Sequence, residues 1–188
     1  MRTLDQKDLL KKIYDVNKNI VLILINGSTI SLPWANKHIP AIIEAWYPGQ
    51  SGGKAISEVL FGDYNPGGKL PMTFYNGIND LPPFDDYDVR NGRTYMYFQG
   101  EPLYPFGYGL SYTNFKIKNV RLNDTNFSKS DTLQITFNII NTGLRHGSEV
   151  PQLYIEKNGI KKLKAFKRIF LNKDESLESS MKLSLIHI

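Results

Sequence analysis

The hydrophobic positions of this chain change period twice, and each change predicts a different kind of element. Leu9, Leu10, Ile13 and Tyr14 recur at i, i+1, i+4 and i+5, which predicts a helix over residues 5–17. Residues 20–25 are an unbroken apolar run, mostly β-branched, that ends at Asn26-Gly27. A strand apolar on both faces belongs in the middle of a sheet covered on both sides, as in parallel α/β layers. Residues 34–37 predict a short helical turn and residues 41–46 a second short strand. From Ser51 the helical period returns through Ala55, Ile56, Val59 and Leu60, with Gly62 placed to cap the carboxyl end. After Phe115 the texture is all-β: residues 115–120 and 133–139 alternate, and residues 150–155, 163–171 and 181–185 predict further strands. Asn141-Thr142-Gly143 and His146-Gly147-Ser148 predict turns.

Between the two textures lies Glu101 to Tyr112, with four aromatics, two prolines and two glycines in twelve residues. Pro102 and Pro105 remove backbone donors, and the rings carry large apolar surface with little rotamer freedom to lose. The segment predicts an ordered, ring-packed connector. The chain therefore divides into an α/β part over 1–98, a connector over 99–114 and an all-β part over 115–188. Only two or three strands precede residue 80, fewer than a doubly wound sheet needs, so the expected fold is an incomplete α/β sandwich layer followed by an antiparallel β-sandwich. Such a layer exposes apolar strand faces, which predicts poor solubility unless a partner covers residues 20–46.

Composition narrows the function classes. Zero cysteines exclude disulfides, thiolate metal sites and cysteine nucleophiles, and no apolar run reaches the ~20 residues of a transmembrane helix. Residues 1–98 carry ten Lys/Arg against ten Asp/Glu, and residues 99–188 carry thirteen against eight, which supplies the whole net charge of +5. Lys157, Lys161, Lys162, Lys164, Lys167 and Arg168 hold much of it. Because Lys162 and Lys164 alternate with Leu163 and Ala165, a strand with one wet, lysine-rich face accounts for them more simply than a nucleic-acid patch.

Several groups are candidates for chemistry, each beside a plainer account. Asp85, Asp86 and Asp88 cluster around Tyr87, but the six to eight oxygens of a hard-cation site are not evident; a solvated loop touching Arg90 or Arg93 is the simpler reading. Glu44 sits inside an apolar run, where a raised pKa would mark a catalytic acid; an edge-strand carboxylate facing water is the simpler account. Gly49 to Gly53 forms a glycine-rich turn before a helix, yet lacks the Gly-Lys-Ser/Thr ending of a phosphate loop, which favours close helix packing. His38, His146 and His187 are too scattered for a metal cluster, and nothing resembles a nucleophile elbow. Trp34, Trp46 and Tyr47 could stack on sugar rings, but core or domain-interface packing is the simpler account.

The ordered set of motifs resembles the carboxy-terminal half of glycoside hydrolase family 3, the β-glucosidases and β-xylosidases. The resemblance runs through Tyr47-Pro48-Gly49-Gln50-Ser51-Gly52-Gly53, residues 61–71, Gly92-Arg93-Thr94-Tyr95-Met96-Tyr97 and residues 103–112. Asn141-Thr142-Gly143, residues 147–154 and residues 163–171 look like that family's fibronectin type III-like domain. The resemblance implies a retaining hydrolase of terminal, non-reducing β-glucosyl or β-xylosyl units, with no organic cofactor or metal and a periplasmic or secreted location. Retention needs two carboxyl groups roughly 5–5.5 Å apart. By the family pattern, the nucleophilic Asp lies in a barrel absent here, and the acid/base Glu lies just before the helix of residues 5–17, ahead of Met1. No catalytic residue is therefore assigned in this chain. The expected partners are a β-linked oligosaccharide or aryl glycoside and the missing barrel, without nucleic acid or membrane. The rival reading is a carbohydrate- or protein-binding β-sandwich module.

Overall fold

The computed structural model describes residues 3–128 and 130–185. The first half is an α/β layer. Helix α1 (Thr3–Val16) turns Leu10 and Tyr14 inward, and Asn17 ends it, its N–H bonding Ile13 O at 2.8 Å and its side chain accepting from Asn19 N. Strand β1 (Val21–Leu24) pairs in parallel with β2 (Ala41–Glu44), Val21 opposite Ala41 and Leu24 opposite Glu44. The crossover between them carries α2 (Pro33–His38), which starts on a proline, the residue already fixed for a first helical turn. Helix α3 (Gly52–Phe61) follows, and Gly62 caps it in the left-handed conformation at φ 83° with its N–H on Val59 O.

One face of the two strands is buried. Leu22, Leu24, Ile42 and Trp46 pack on Leu32, Ala35, Ile39 and Phe74, beneath Leu10 and Tyr14. The expectation of a central strand covered on both sides needs correction: among the described residues β1 pairs with β2 alone, and Val21 and Ile25 remain 43% and 60% exposed. Helix α1 likewise shows a second apolar stripe, with Val16 90% exposed.

Residues 70–74 run antiparallel to residues 104–108. Leu70 N donates to Tyr108 O, Gly107 N to Leu70 O, and Phe74 and Tyr104 exchange both backbone bonds. The connector rings stack as expected: Tyr104 on Tyr108 at 5.4 Å and Phe106 on Tyr95 at 4.3 Å between centroids. A Cβ on Gly109 would overlap the Gly68 carbonyl oxygen, so the backbones meet there without space for a side chain. A 3-10 turn (Ile78–Asp80) and the short helix α4 (Thr94–Tyr97) flank the loop between these segments.

The second half is an antiparallel β-sandwich. One sheet is β3 (Phe115–Leu122), β4 (Thr132–Asn141) and β9 (Ser176–Ser184), with β4 in the centre. Opposite it lie the pairs β5 (Gly147–Glu149) with β8 (Ile169–Leu171) and β6 (Gln152–Lys157) with β7 (Ile160–Phe166). The period of two along β4 delivers Ile135, Phe137, Ile139 and Asn141 to the interior. There Phe137 and Ile139 meet Ile169, Leu171 and Met181.

Four strand expectations are corrected here. The single strand over residues 163–171 is two strands in different pairs, with Lys167 and Arg168 crossing between them. The turn at His146-Gly147-Ser148 opens into β5. The strand over residues 150–155 starts after Pro151, which has no ladder donor. The last strand starts five residues before Met181. The lysine alternation also fails, because Leu153 faces Ala165 while Tyr154 faces Leu163, leaving Lys164 as a half-buried bulge.

Candidate functional site

In a parallel layer, ligands bind outside the carboxyl ends of the strands, where the connecting loops diverge. Here those ends are Asn26-Gly27 after β1 and Glu44 to Tyr47 after β2. Asn26 Nδ2 donates to Glu44 Oε2 at 3.2 Å, and Trp46 N donates to Glu44 Oε1 at 3.0 Å. Both carboxylate oxygens are therefore engaged. Burial pushes the Glu44 carboxyl above its ordinary value, opposed by the two donors. Glu44 is thus a half-buried clamp across the strand ends, not a carboxylate turned to water.

The clamp coincides with strain. Trp46 adopts φ 49°, a conformation costly for a bulky side chain, and the Glu44 bond to its N–H together with burial of its indole over Phe74 hold it there. Asn26 Oδ1 is buried with no hydrogen-bond partner among the described residues. Asn26 was not singled out by sequence; an Asn-Gly pair closing an apolar strand is the signal that points to it. Trp34 and Trp46 take the packing role, with Trp34 stacked on His38 at 4.6 Å. Tyr47 does not: its ring lies against Gly27 and stays 77% exposed.

The structure disperses the remaining candidates. Asp88 accepts a bidentate pair from Arg90, and that hydrogen bonding pulls its carboxyl down to about 2. Arg93 donates to the carbonyls of Pro83 and Asp86, and Asp86 accepts from Asn91. The cluster is an exposed, internally tied loop, and no group of three metal-ligating side chains occurs among the described residues. Gly52 is buried under Pro48, as close packing requires, whereas Gly53 faces open space. His146 lies in a loop before β5, and His187 falls outside the described residues. No hydrogen bond joins two side-chain carboxyls among the described residues.

The two halves are joined by buried polar groups. Asn65 Oδ1 accepts from Ser111 Oγ and Tyr112 N, while its Nδ2 donates to His146 O at 2.8 Å. Lys69 Nζ pairs with Glu149 at 2.8 Å and donates to Gly109 O. Tyr95 Oη accepts from Leu163 N. Asn141, fully buried, accepts from Thr113 Oγ1 and Gly143 N and donates to Arg145 O and Leu171 O.

Comparison with known proteins agrees with this architecture. The profile of the Glycosyl hydrolase family 3 C-terminal domain matches residues 2–112. A xylan 1,4-beta-xylosidase of Xylanibacter ruminicola is 40% identical over 184 residues, covering 95% of this chain and 21% of that protein. A periplasmic beta-glucosidase of Salmonella typhimurium is 36% identical, covering 90% of this chain and 24% of its own length. Among solved structures, a β-glucosidase from Erythrobacter marinus superposes with a TM-score of 0.84 at 34% identity, covering 96% of this chain and 25% of that one. The chain thus spans 21–25% of the length of these three relatives. It belongs to glycoside hydrolase family 3, whose carboxy-terminal region it corresponds to.

Proposed function

We propose that this chain is the non-catalytic carboxy-terminal portion of a retaining β-glycosidase that removes terminal, non-reducing β-D-glucosyl or β-D-xylosyl residues. The division is an α/β part over 1–98, a connector over 99–114 and a sandwich over 115–188, supported by two separate buried clusters on either side of the stacked rings. The nucleophilic Asp and acid/base Glu belong to sequence upstream. The observation that carries the reading is the state of Glu44. It is the carboxyl at the strand ends, yet two N–H donors occupy both its oxygens, and no second carboxyl is bonded to it among the described residues. Double displacement needs a pair of carboxyl groups about 5–5.5 Å apart, and Glu44 by itself supplies one member at most, tied down by its two donors.

In the parent enzyme the sandwich buttresses the connector and fixes the layer against the catalytic barrel. The exposed side chains Val16, Ile25 and Phe61, the last 81% exposed, suit burial against that missing portion. The purified 188-residue chain should release no nitrophenol from nitrophenyl-β-glucoside or nitrophenyl-β-xyloside above a heat-killed control. Saturable turnover by the chain alone would overturn the reading.

A further inference from the structure

A cleft of about 540 Å³ opens where the carboxyl end of α3 meets the loops before β5 and after β8. Its walls come from both halves of this chain. Gly62, Asp63 and Asn65 form one side, and Arg145, His146 and Lys173 line the other. The second wall is built on fixed backbone. Buried Asn141 and Asn65 donate to the carbonyls of Arg145 and His146 at 2.7 and 2.8 Å. Glu175 accepts from Asn172 N and Nδ2, which holds the turn that carries Lys173. The side chains therefore enter the cleft from set positions.

No carboxylate comes within 3.5 Å of these cations among the described residues, although the Arg145 guanidinium also lies over the Tyr112 ring, 6.0 Å from its centroid. Arg145 spends Nη1 on Gly62 O at 3.1 Å, and no carboxylate pairs with it among the described residues. Among the described residues, the ion-pair contact of Lys173 is a long one, 3.8 Å to its exposed neighbour Asp174. The His146 ring has no hydrogen bond among the described residues. Two cations and a histidine line one concave site whose lining holds one acid, Asp63, with Asp174 beside Lys173 at its rim.

We propose that this cleft binds an oxyanion, and that its ligand is a sugar bearing a carboxylate. Arg145 and Lys173 would take the carboxylate through charge-assisted hydrogen bonds, while Asp63, His146 and Asn172 match ring hydroxyls. The volume lies within the range of small-ligand sites. Phosphate shares the oxyanion chemistry, so it is the competing source. The binding is independent of the glycosidase reading, because no turnover is involved.

The test is titration of the full chain with sodium glucuronate, inorganic phosphate and xylose, followed by calorimetry at low and at physiological salt. Glucuronate should bind saturably and more tightly than phosphate, weaken as salt rises, and lose at least about tenfold in affinity in the double variant Lys173→Gln/His146→Gln; xylose should not bind. Those substitutions leave the Arg145–Gly62 and Asn65–His146 bonds that join the two halves, and a thermal melt checks that the fold persists. Independently, carbodiimide coupling of glucuronate to the unaltered chain should place the amide preferentially on Lys173, seen by peptide mapping. Phosphate binding as tight as glucuronate would reduce the site to a bare anion site and overturn the sugar assignment. No saturable binding, or coupling spread evenly over the lysines, would overturn the proposal entirely.

Discussion

The two halves of the molecule solve the same problem, covering an apolar sheet, with different completeness. In the sandwich, Ile139 is fully buried and Phe137 and Leu171 nearly so, because opposite strands lie within the chain. Its edge strand β3 is exposed along most of its length, but Lys116, Lys118 and Arg121 interrupt the apolar side chains. A bulge at Asn119, φ 52°, breaks its ladder as well. Those are the devices that keep an edge from pairing with another chain. Strand β1 of the parallel layer has neither device: it runs Val21, Leu22, Ile23, Leu24 without a charge, and Ile25 beyond it is open. An edge guarded by charge is built to face water, whereas an unguarded one is built to be covered.

The largest test of this contrast compares the two buried clusters. Phe74→Ala removes the 1%-exposed ring that joins the layer to the connector, and Ile139→Ala empties the sandwich centre. The expected losses are about 3–5 and about 2–5 kcal/mol respectively, measured by urea unfolding. With the seam bonded as it is, each change should shift one shared transition. Independent melting of the halves would show the seam to be mechanically idle.

The seam itself gives the next effect. Asn65→Ala removes three hydrogen bonds and strands the groups that made them, a loss of about 1–3 kcal/mol. Calorimetry should then split one unfolding peak into two, the layer melting first because its core is the less covered. A single peak merely displaced to lower temperature would mean that stacking of Phe106 on Tyr95 holds the halves together without Asn65.

What could be read from the sequence follows the same divide between local and distant causes. Periodicity placed α2, α3 and the centre of β4, since each depends on its own spacing and caps. The break between β7 and β8 was hidden because Leu163, Ala165, Ile169 and Leu171 keep one parity through Lys167, whose Nζ reaches across to Ser179. Asn158-Gly159, both at positive φ, was the available sign that a hairpin separates β6 from β7. The Glu44 clamp could not be read from one strand, because its burial needs Asn26 from the end of another strand eighteen residues away.

A smaller effect concerns solution behaviour. The unguarded layer should make the isolated chain self-associate, so light scattering should give a mass above 21.5 kDa that rises with concentration. Replacing exposed Ile25 and Phe61 by lysine should return it toward the monomer while changing folding stability by only about 0.5 kcal/mol. A monodisperse monomer without these changes would show that the edge is tolerated in water.

The smallest expected effect lies in the clamp. Burial raises the folded-state pKa of Glu44 above its unfolded value, so the folded chain binds the proton more tightly than the unfolded chain. Folding is therefore favoured by protonation: the cost of the buried charge is absent below the unfolded value near 4.5, grows as pH rises toward the folded value, and is constant above it. Glu44→Gln keeps a side-chain oxygen for the Trp46 N–H but cannot ionise. The stability of the unaltered chain minus that of the variant should fall as pH rises from 4.5 toward neutrality, then level off. Subtraction removes the titration of Asp88 and other surface acids common to both. A difference that rises with pH would mean that the Asn26 and Trp46 donors outweigh burial, making the charged carboxylate a stabilising feature of the strand ends.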